Sequence, residues 1–514
     1  MRKISFLILS FLFIGVLAAC GGGSSDDVLR VATGSDPVTF DMHRTNDLST
    51  ARVAEQIYET LIRQTNDLEL VPGLATAWRQ IDDTTFEFDL RQGVVFHNGE
   101  PFTAEDVVFS IRRALTLEGS VVSHIVGAID PEGFEIIDDH TLRMSTLYPF
   151  GPFLTHMAHP ATAIMNEQAF IDAGDDYGTL IAVGTGPFEL TEWQTDTKVV
   201  LSRFDDYWGE APSFAGIEFY TIRESSVRVI GLENGEYDII YDVAPSDIDS
   251  VEANSGLTLI NTPNLGAEYL GLNTASNEYL KDINVRRAIA HVIDVDAIVS
   301  AIYNNVGEQL TGPISPAVFG YNPDIDPIPY DVDMAKGFLS QSAWPNGGFT
   351  LRLYVGDNNA ERIRVAQVVQ EQLQTHLNIT VQLNQMEWGA FLAKTREEAD
   401  VSETDMFLLG WTTVTADADY GLYPLFHSSN APLGGNRTFF INERVDELLS
   451  AGRRSIDQAE RLALYQEAQA IIAEELPWVF LQTRENVSAH SNSIEGFEHH
   501  PMGSYFLAYV TRAE

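Results

Sequence analysis

The chain has 514 residues, 74 acidic and 31 basic, giving a formal net charge of −43; 45% of the residues are hydrophobic and one is cysteine. At roughly 100–200 residues per domain this length predicts two to four domains, with cores large enough to do without disulfides or metals. The lone cysteine excludes an intrachain disulfide, an iron–sulfur cluster and a cysteine-based zinc site; the apolar content excludes a disordered acidic protein, and the scarcity of Lys and Arg argues against a nucleic-acid partner.

The chain opens Met1-Arg2-Lys3, runs apolar from Ile4 to Val16 and reaches Leu17-Ala18-Ala19-Cys20. A basic start, an apolar run too short for a comfortable membrane span and small residues before the cut predict an export signal over residues 1–19. Leu17-Ala18-Ala19-Cys20 looks like a bacterial lipobox, in which the thiol is acylated and cysteine becomes the new N-terminus; the alternative is an ordinary secretory signal with an incidental cysteine. Residues 20–27 are small and polar, as suits a flexible tether. The expectation is a body anchored by lipid through Cys20 at the outer face of the cytoplasmic membrane or in the periplasm.

Beyond residue 27 strand and helix patterns alternate without a short repeat, which predicts a mixed α/β protein. Val28 to Thr33 reads as a strand running into the turn Gly34-Ser35-Asp36-Pro37, and Ala51 to Leu61 as a helix. Thr85 to Leu90 alternates apolar and polar residues like a half-buried strand. Thr103 caps the next helix, with Asp106 at its third position and Val107, Val108, Ile111 and Leu115 on its buried side. Strands are expected at 188–193, 198–203 and 237–241, and helices at 226–233, 285–293 and 296–303. The Pro-rich passage from Gly312 to Pro329 reads as an extended surface connection. A strand at 351–355 precedes a helix bearing Val365, Val369, Leu373 and Leu377, and Asp457 with Glu460 makes a capping-box pattern for a helix ended by Pro477.

The chain has no Gly-x-Ser-x-Gly elbow, no phosphate-binding Gly-x4-Gly-Lys-Ser/Thr and no His-Glu-x-x-His, so no enzyme is expected, and neither is a cofactor. His156 with His159, and His499 with His500, lack the carboxylate or cysteine support of a metal site, and no metal is expected.

Leu74 to Trp78, Phe86 to Gly99, Thr103 to Val107, Gly184-Thr185-Gly186-Pro187-Phe188, Asp206-Tyr207-Trp208, Leu232 to Asp238 and Val285 to Ile289 occur in an order that resembles the large solute-binding lipoproteins of peptide-type ABC importers. The resemblance implies a two-lobed periplasmic-binding-protein fold with a hinge and an extra inserted domain. Lobe I would comprise 28–48, 184–270 and 487–514, the extra domain 49–183 and lobe II 271–486, with chain crossings near Gly271 and Asn486. It also implies a monomer that takes a small peptide in the interlobe cleft, closes on it and hands it to a membrane permease. His97, Trp78 and Trp208 read as structural.

Leu409 to Tyr420 resembles the family segment whose tryptophan backbone and following acid line the cleft. The resemblance nominates Gly410, Trp411, Thr412 and Val414, with Asp417 as the acid that meets a peptide ammonium, because Val414 stands where many peptide binders carry that acid. A loop-capping aspartate is the alternative for Asp417. Arg437 is the nominated donor to a carboxylate, Ser35, Asp36 and Phe40 would cover the solute, and Tyr505 would form an aromatic wall. Gly356-Asp357-Asn358-Asn359 stands where dipeptide binders have arginine, and the run from Thr413 to Ser429 looks more like the glutathione-type branch. The same scaffold with nickel chelate, haem, opine or sugar, and a secreted hydrolase, are the rival readings.

Overall fold

The computed structural model describes residues 27–513 except 46, 119, 121, 276, 358, 433 and 434. Cys20, the export segment and all of the tether but Asp27 lie outside the described residues. Ten strands form one sheet, in the order Thr380–Met386, Thr350–Gly356, Met406–Thr412, Leu257–Leu272, Trp478–Ser491, Ile239–Ile240, Val28–Thr33, Gly216–Thr221, Lys198–Arg203 and Phe188–Gln194. The middle pair sets the architecture. At 16 and 14 residues these two antiparallel strands are far longer than a usual strand of about 5–6. They pair from Leu257 with Ser491 to Gly271 with Trp478, and the register breaks between Pro263 and Ala267 and again between Glu268 and Tyr269. Pro263 has no N–H to give, and an interrupted ladder bends its strand.

Different cores sit on either side of that break. Leu257 and Leu259 pack with Val487, Ala489, Ala32 and Ile240, whereas Leu265, Leu270 and Leu272 join Val479, Phe480, Leu353, Val369 and Phe407. A further core on the first side gathers Leu29, Val31, Phe40, Val53, Ile57, Ile217 and Leu507. The two long strands therefore carry the chain out of one body and into another.

An additional body is built on the antiparallel four-stranded sheet Ala75–Gln80, Thr85–Leu90, Thr141–Thr146 and Ile129–Asp138. The helix Ala104–Thr116 covers it, burying Val107, Val108 and Ile111 as the periodicity predicts, and Asp106 accepts from the Thr103 backbone N–H at 3.0 Å. Its core runs from Leu61 to Ile164 and takes in Tyr420 from the second body. Residues 49–57, grouped by resemblance with the inserted domain, pack through Val53, Ala54 and Ile57 into the core around Val31.

Other differences from expectation have local causes. The first helix is Leu48–Ile57 rather than 51–61: Asp47 caps it by accepting from Thr50 N–H at 2.8 Å, and Tyr58 turns extended, so Leu61 falls into the neighbouring core. The strand expected at 237–241 narrows to Ile239–Ile240. The Pro-rich passage is irregular, but it is not a surface segment throughout: Ile314 and Val318 are buried, and Ser315 donates to the Asn264 carbonyl at 2.8 Å. Glu460 does not close a capping box; it accepts from the Ser455 hydroxyl at 2.6 Å while Asp457 alone caps the helix Gln458–Glu475.

Candidate functional site: a cleft at the strand crossing

A cavity of about 510 Å³ opens where the long strands cross. One wall comes from the first body, with Thr45, Asp47, Glu55, Asp242 and Ser504; the other comes from the second, with Glu268, Tyr303, Glu361, Thr412 and Val414. Asn264, Gln482, Arg484 and Glu485, on the crossing strands themselves, complete it. A solute here touches both bodies at once.

Arginines hold three of the lining acids. Glu268 receives Arg362 Nε at 2.7 Å and Nη2 at 2.8 Å, and Arg484 stands 3.4 Å away. These cations hold the buried Glu268 carboxyl below its usual range although burial alone would raise it. Asp242 takes both Nη groups of Arg52, at 2.7 and 2.8 Å, and is depressed to about 2 against the pull of burial. Glu361 pairs with Arg364 at 3.0 Å. Among the described residues Asp47, Glu55 and Glu485 have no ion pair, and burial pushes Glu55 up to about 7.

A second cavity, also about 510 Å³, adjoins the first through Met42, Glu55, Pro160, Met502 and Ser504. Its wall includes Glu59, Arg63, Tyr505, Phe506 and Tyr509, all on the first and additional bodies.

The residues nominated from sequence distribute unevenly over this geometry. Thr412 and Val414 line the crossing cavity. Gly410 and Trp411 precede Thr412 on the strand Met406–Thr412; a Cβ at Gly410 would stand 2.5 Å from Glu268 Oε1, so the glycine leaves room for the Glu268–Arg362 pair. Trp411 packs against both the second and the additional core and donates its indole N–H to the Tyr420 carbonyl at 3.1 Å. Asp417 does not line the cavity. It is buried, caps the helix Ala418–Phe426, and receives Arg461 Nη2 at 2.7 and 2.8 Å. Arg437 is buried as well and donates to Thr395 Oγ1 at 2.9 Å; Gly434, before it, is outside the described residues. Phe40 is a core residue, edge-on to Trp193 at 5.1 Å, and Asp36 accepts from Trp193, Asp196 and Thr221, which fixes the turn that also contains the exposed Ser35. Tyr505 lines the adjoining cavity rather than the crossing one.

The family model for the middle region of the bacterial extracellular solute-binding proteins, family 5, matches residues 69–432. The chain belongs to this family. It is similar to the glutathione-binding protein GsiB of Salmonella typhi, at 30% identity over 485 residues, 94% of this chain and 93% of that one. It is similar also to GsiB of Escherichia coli K12, at 30% identity and 96% of each chain. Among solved structures it resembles HbpA2 of Haemophilus parasuis (TM-score 0.84, 27% identity, 95% of this chain and 100% of that one). It also resembles the periplasmic binding protein DppA of Helicobacter pylori in complex with the peptide STSA (TM-score 0.79, 29% identity, 95% and 98%). The two bodies joined by long strands are thus the lobes of a two-lobed solute-binding protein, and the crossing cavity lies between them.

The motifs that carry the resemblance act in this structure as joints. Glu59, after the first helix, accepts from Trp208 Nε1 at 2.7 Å, Thr185 Oγ1 at 3.0 Å and Tyr207 O–H at 3.1 Å, so one buried carboxylate ties the Asp-Tyr-Trp and Gly-Thr-Gly-Pro motifs together. His97 donates from Nε2 to the Gly186 carbonyl at 3.0 Å and accepts the Gly184 N–H on Nδ1 at 3.3 Å; burial lowers it to about 4, which keeps it neutral for both bonds. The cleft acids Asp242, Glu268 and Glu485 escaped the sequence reading. Only Glu268 lies close in the chain to the interruption at Thr262-Pro263-Asn264; Glu485 comes beside it through its pairing with Pro263, and Asp242 carries no local signal.

Proposed function

We propose that this solute-binding protein captures a short peptide in the interlobe cleft, closes on it by bending the two long strands, and delivers it to an ABC permease as a lipid-anchored monomer without catalysing a reaction. The observation that carries this reading is the cavity lined by both lobes at the point where both connecting strands lose register. A solute that contacts both lobes stabilises the closed form over the open one, which is a sufficient mechanism for signalling occupancy. Support for the solute class comes from GsiB, named for glutathione, and from DppA, bound to the tetrapeptide STSA.

In this reading the chain divides as the resemblance implies, into lobe I (28–48, 184–270 and 487–514), an extra domain (49–183) and lobe II (271–486), except that the first helix, Leu48–Ile57, goes with lobe I and the stretch 265–270 with lobe II, and the bending is centred on the break between Pro263 and Ala267. Thr412 and Val414 present backbone and side chain to the solute, and Gly410 and Trp411 hold that strand. Cys20 carries the lipid.

Titration calorimetry and thermal unfolding with a panel of tri- and tetrapeptides and glutathione test the reading. Saturable binding is expected, with about 2.7 kcal/mol of added stability at a hundredfold excess over Kd; no binding anywhere in the panel would reject it. Cys20→Ser is expected to release the protein from membranes, and unchanged retention would reject the anchor.

A further inference from the structure

The charges around the interlobe cavity are lopsided. Among the described residues six carboxylates line it, those of Asp47, Glu55, Asp242, Glu268, Glu361 and Glu485, against the single lining cation Arg484. Arginines engage Asp242, Glu268 and Glu361, and Arg484 is already shared with Glu268 at 3.4 Å. Asp47, Glu55 and Glu485 form no ion pair among the described residues, and they reach the cavity from the start of the first helix, from its interior and from the strand crossing.

The neutral polar groups lean the same way. Asn264 and Gln482, 7% and 3% exposed, line the same cavity, and each has a buried side-chain carbonyl oxygen with no hydrogen-bond donor among the described residues. Asn264 spends its amide N–H on Asn486 at 2.8 Å, which fixes the oxygen as the unpaired end. Unpaired buried acceptors and uncompensated carboxylates both ask for N–H donors, and a solute that brings carboxylates instead desolvates them beside negative charge.

We propose that the cleft selects short peptides of net positive charge, carrying lysine or arginine as well as the terminal ammonium, over neutral and anionic peptides including glutathione. This rests on the peptide-capture reading above and narrows it. Glutathione carries one ammonium and two carboxylates, and the cavity offers its carboxylates a single arginine that Glu268 already holds. Lysine or arginine side chains meet Asp47, Glu55 and Glu485 without displacing any existing pair.

The test is calorimetry on the full-length protein with Lys-Ala-Lys, Ala-Ala-Ala, Glu-Ala-Glu and glutathione at low salt, repeated at high salt. Lys-Ala-Lys is expected to bind at least tenfold tighter than Ala-Ala-Ala and at least a hundredfold tighter than Glu-Ala-Glu or glutathione, with a gap that narrows in salt. Glu485→Gln, which removes neither a cap nor an ion pair among the described residues, is expected to lower Lys-Ala-Lys affinity three- to tenfold more than Ala-Ala-Ala affinity and to leave the thermal midpoint near the wild-type value. Equal affinity across the panel, tighter binding of glutathione or Glu-Ala-Glu, or no effect of Glu485→Gln would overturn the charge selection while peptide capture stands. Absence of binding by every member would overturn peptide capture and this inference together.

Discussion

Replacing Asp417 separates a structural from a ligand-binding role. Its carboxylate is 2% exposed, receives Arg461 Nη2 at 2.7 and 2.8 Å, and accepts from the Asp419 N–H at 2.9 Å as a helix cap. Arg461 is 4% exposed; its Nε donates to the Gly452 carbonyl at 3.1 Å and its guanidinium lies 5.1 Å from the Phe319 ring centre. Breaking a buried pair by removing one partner costs about 3–5 kcal/mol. Asp417→Asn keeps a capping oxygen and leaves the cation two other contacts, so about 3 kcal/mol is expected. Arg461→Met is worse, about 5 kcal/mol, because it strands Asp417 beside Asp419, which burial and the Asp417 charge already push up to about 6 and which keeps only Arg453 at 3.4 Å. Protonation relieves that crowding, so the Arg461→Met deficit shrinks as pH falls through the range where Asp419 takes up its proton. At roughly 2–4 °C per kcal/mol for a body of about 200 residues, both variants lower the melting midpoint by on the order of 10 °C. Calorimetry at a temperature where both remain folded is expected to give wild-type peptide affinity within about threefold, since neither side chain lines the cavity. A hundredfold loss of affinity with little loss of stability would refute this and return Asp417 to the solute.

Two further perturbations follow from single groups. Glu59→Gln keeps one oxygen for Trp208 and Thr185, which share Oε2, but turns an NH2 toward the Tyr207 hydroxyl that donates to Oε1, and is expected to cost about 1–3 kcal/mol, read as a lower urea midpoint with earlier exposure of Trp208; an unchanged midpoint would remove Glu59 from its role as a joint. Glu55, raised to about 7 by burial, is faced by the Ser504 hydroxyl, which donates to it, by the charges of Arg63 and Arg52, and across the cavities by Asp47, Asp242 and Glu59. Its folded pKa lies above the unfolded value of 4.5, so its contribution to stability is lost as pH rises from there through about 7, while its charge becomes available to a cation over the same interval. Affinity for Lys-Ala-Lys is therefore expected to rise several-fold from pH 6 to pH 8 in the wild type and to stay flat in Glu55→Gln; equal slopes would count against it.

Elements with a local pattern were legible in the sequence. Thr85–Leu90 shows its strand by alternation, Ala104–Thr116 shows its helix by the Thr103 and Asp106 cap, and Lys198–Arg203 has the bounds expected of it. The lining residues Thr412 and Val414 were legible too, because they sit in a segment that resembles the family's cleft strand. Long-range geometry was not. Leu257–Leu272 contains Pro263-Asn264-Leu265-Gly266, which locally looks like a turn, and only its partner Trp478–Ser491 makes it one strand. Asp417 carried a visible capping signal before Ala418–Phe426, but its cation lies 44 residues away, so a local reading could not distinguish a buried pair from a ligand contact.

The distribution of cleft charge also bears on how occupancy is signalled. Asp47 and Glu55 stand on the first lobe and Glu485 on the crossing strand, and none of the three has an ion pair among the described residues, so closing the empty cleft brings uncompensated like charges together. That repulsion falls off over a Debye length of about 10 Å at 0.1 M salt, comparable to a cleft's width, and it biases the unliganded protein toward the open form. A cationic solute removes the repulsion in the closed form only, and this difference in affinity between the two states is what allows a ligand to shift the balance. An anionic solute adds to the repulsion and must overcome it by contacts alone. Small-angle scattering is therefore expected to show a larger radius of gyration for the unliganded protein at 20 mM than at 500 mM salt, and a decrease on adding Lys-Ala-Lys at low salt. A radius that ignores both salt and peptide would mean that cleft charge does not set the open–closed balance.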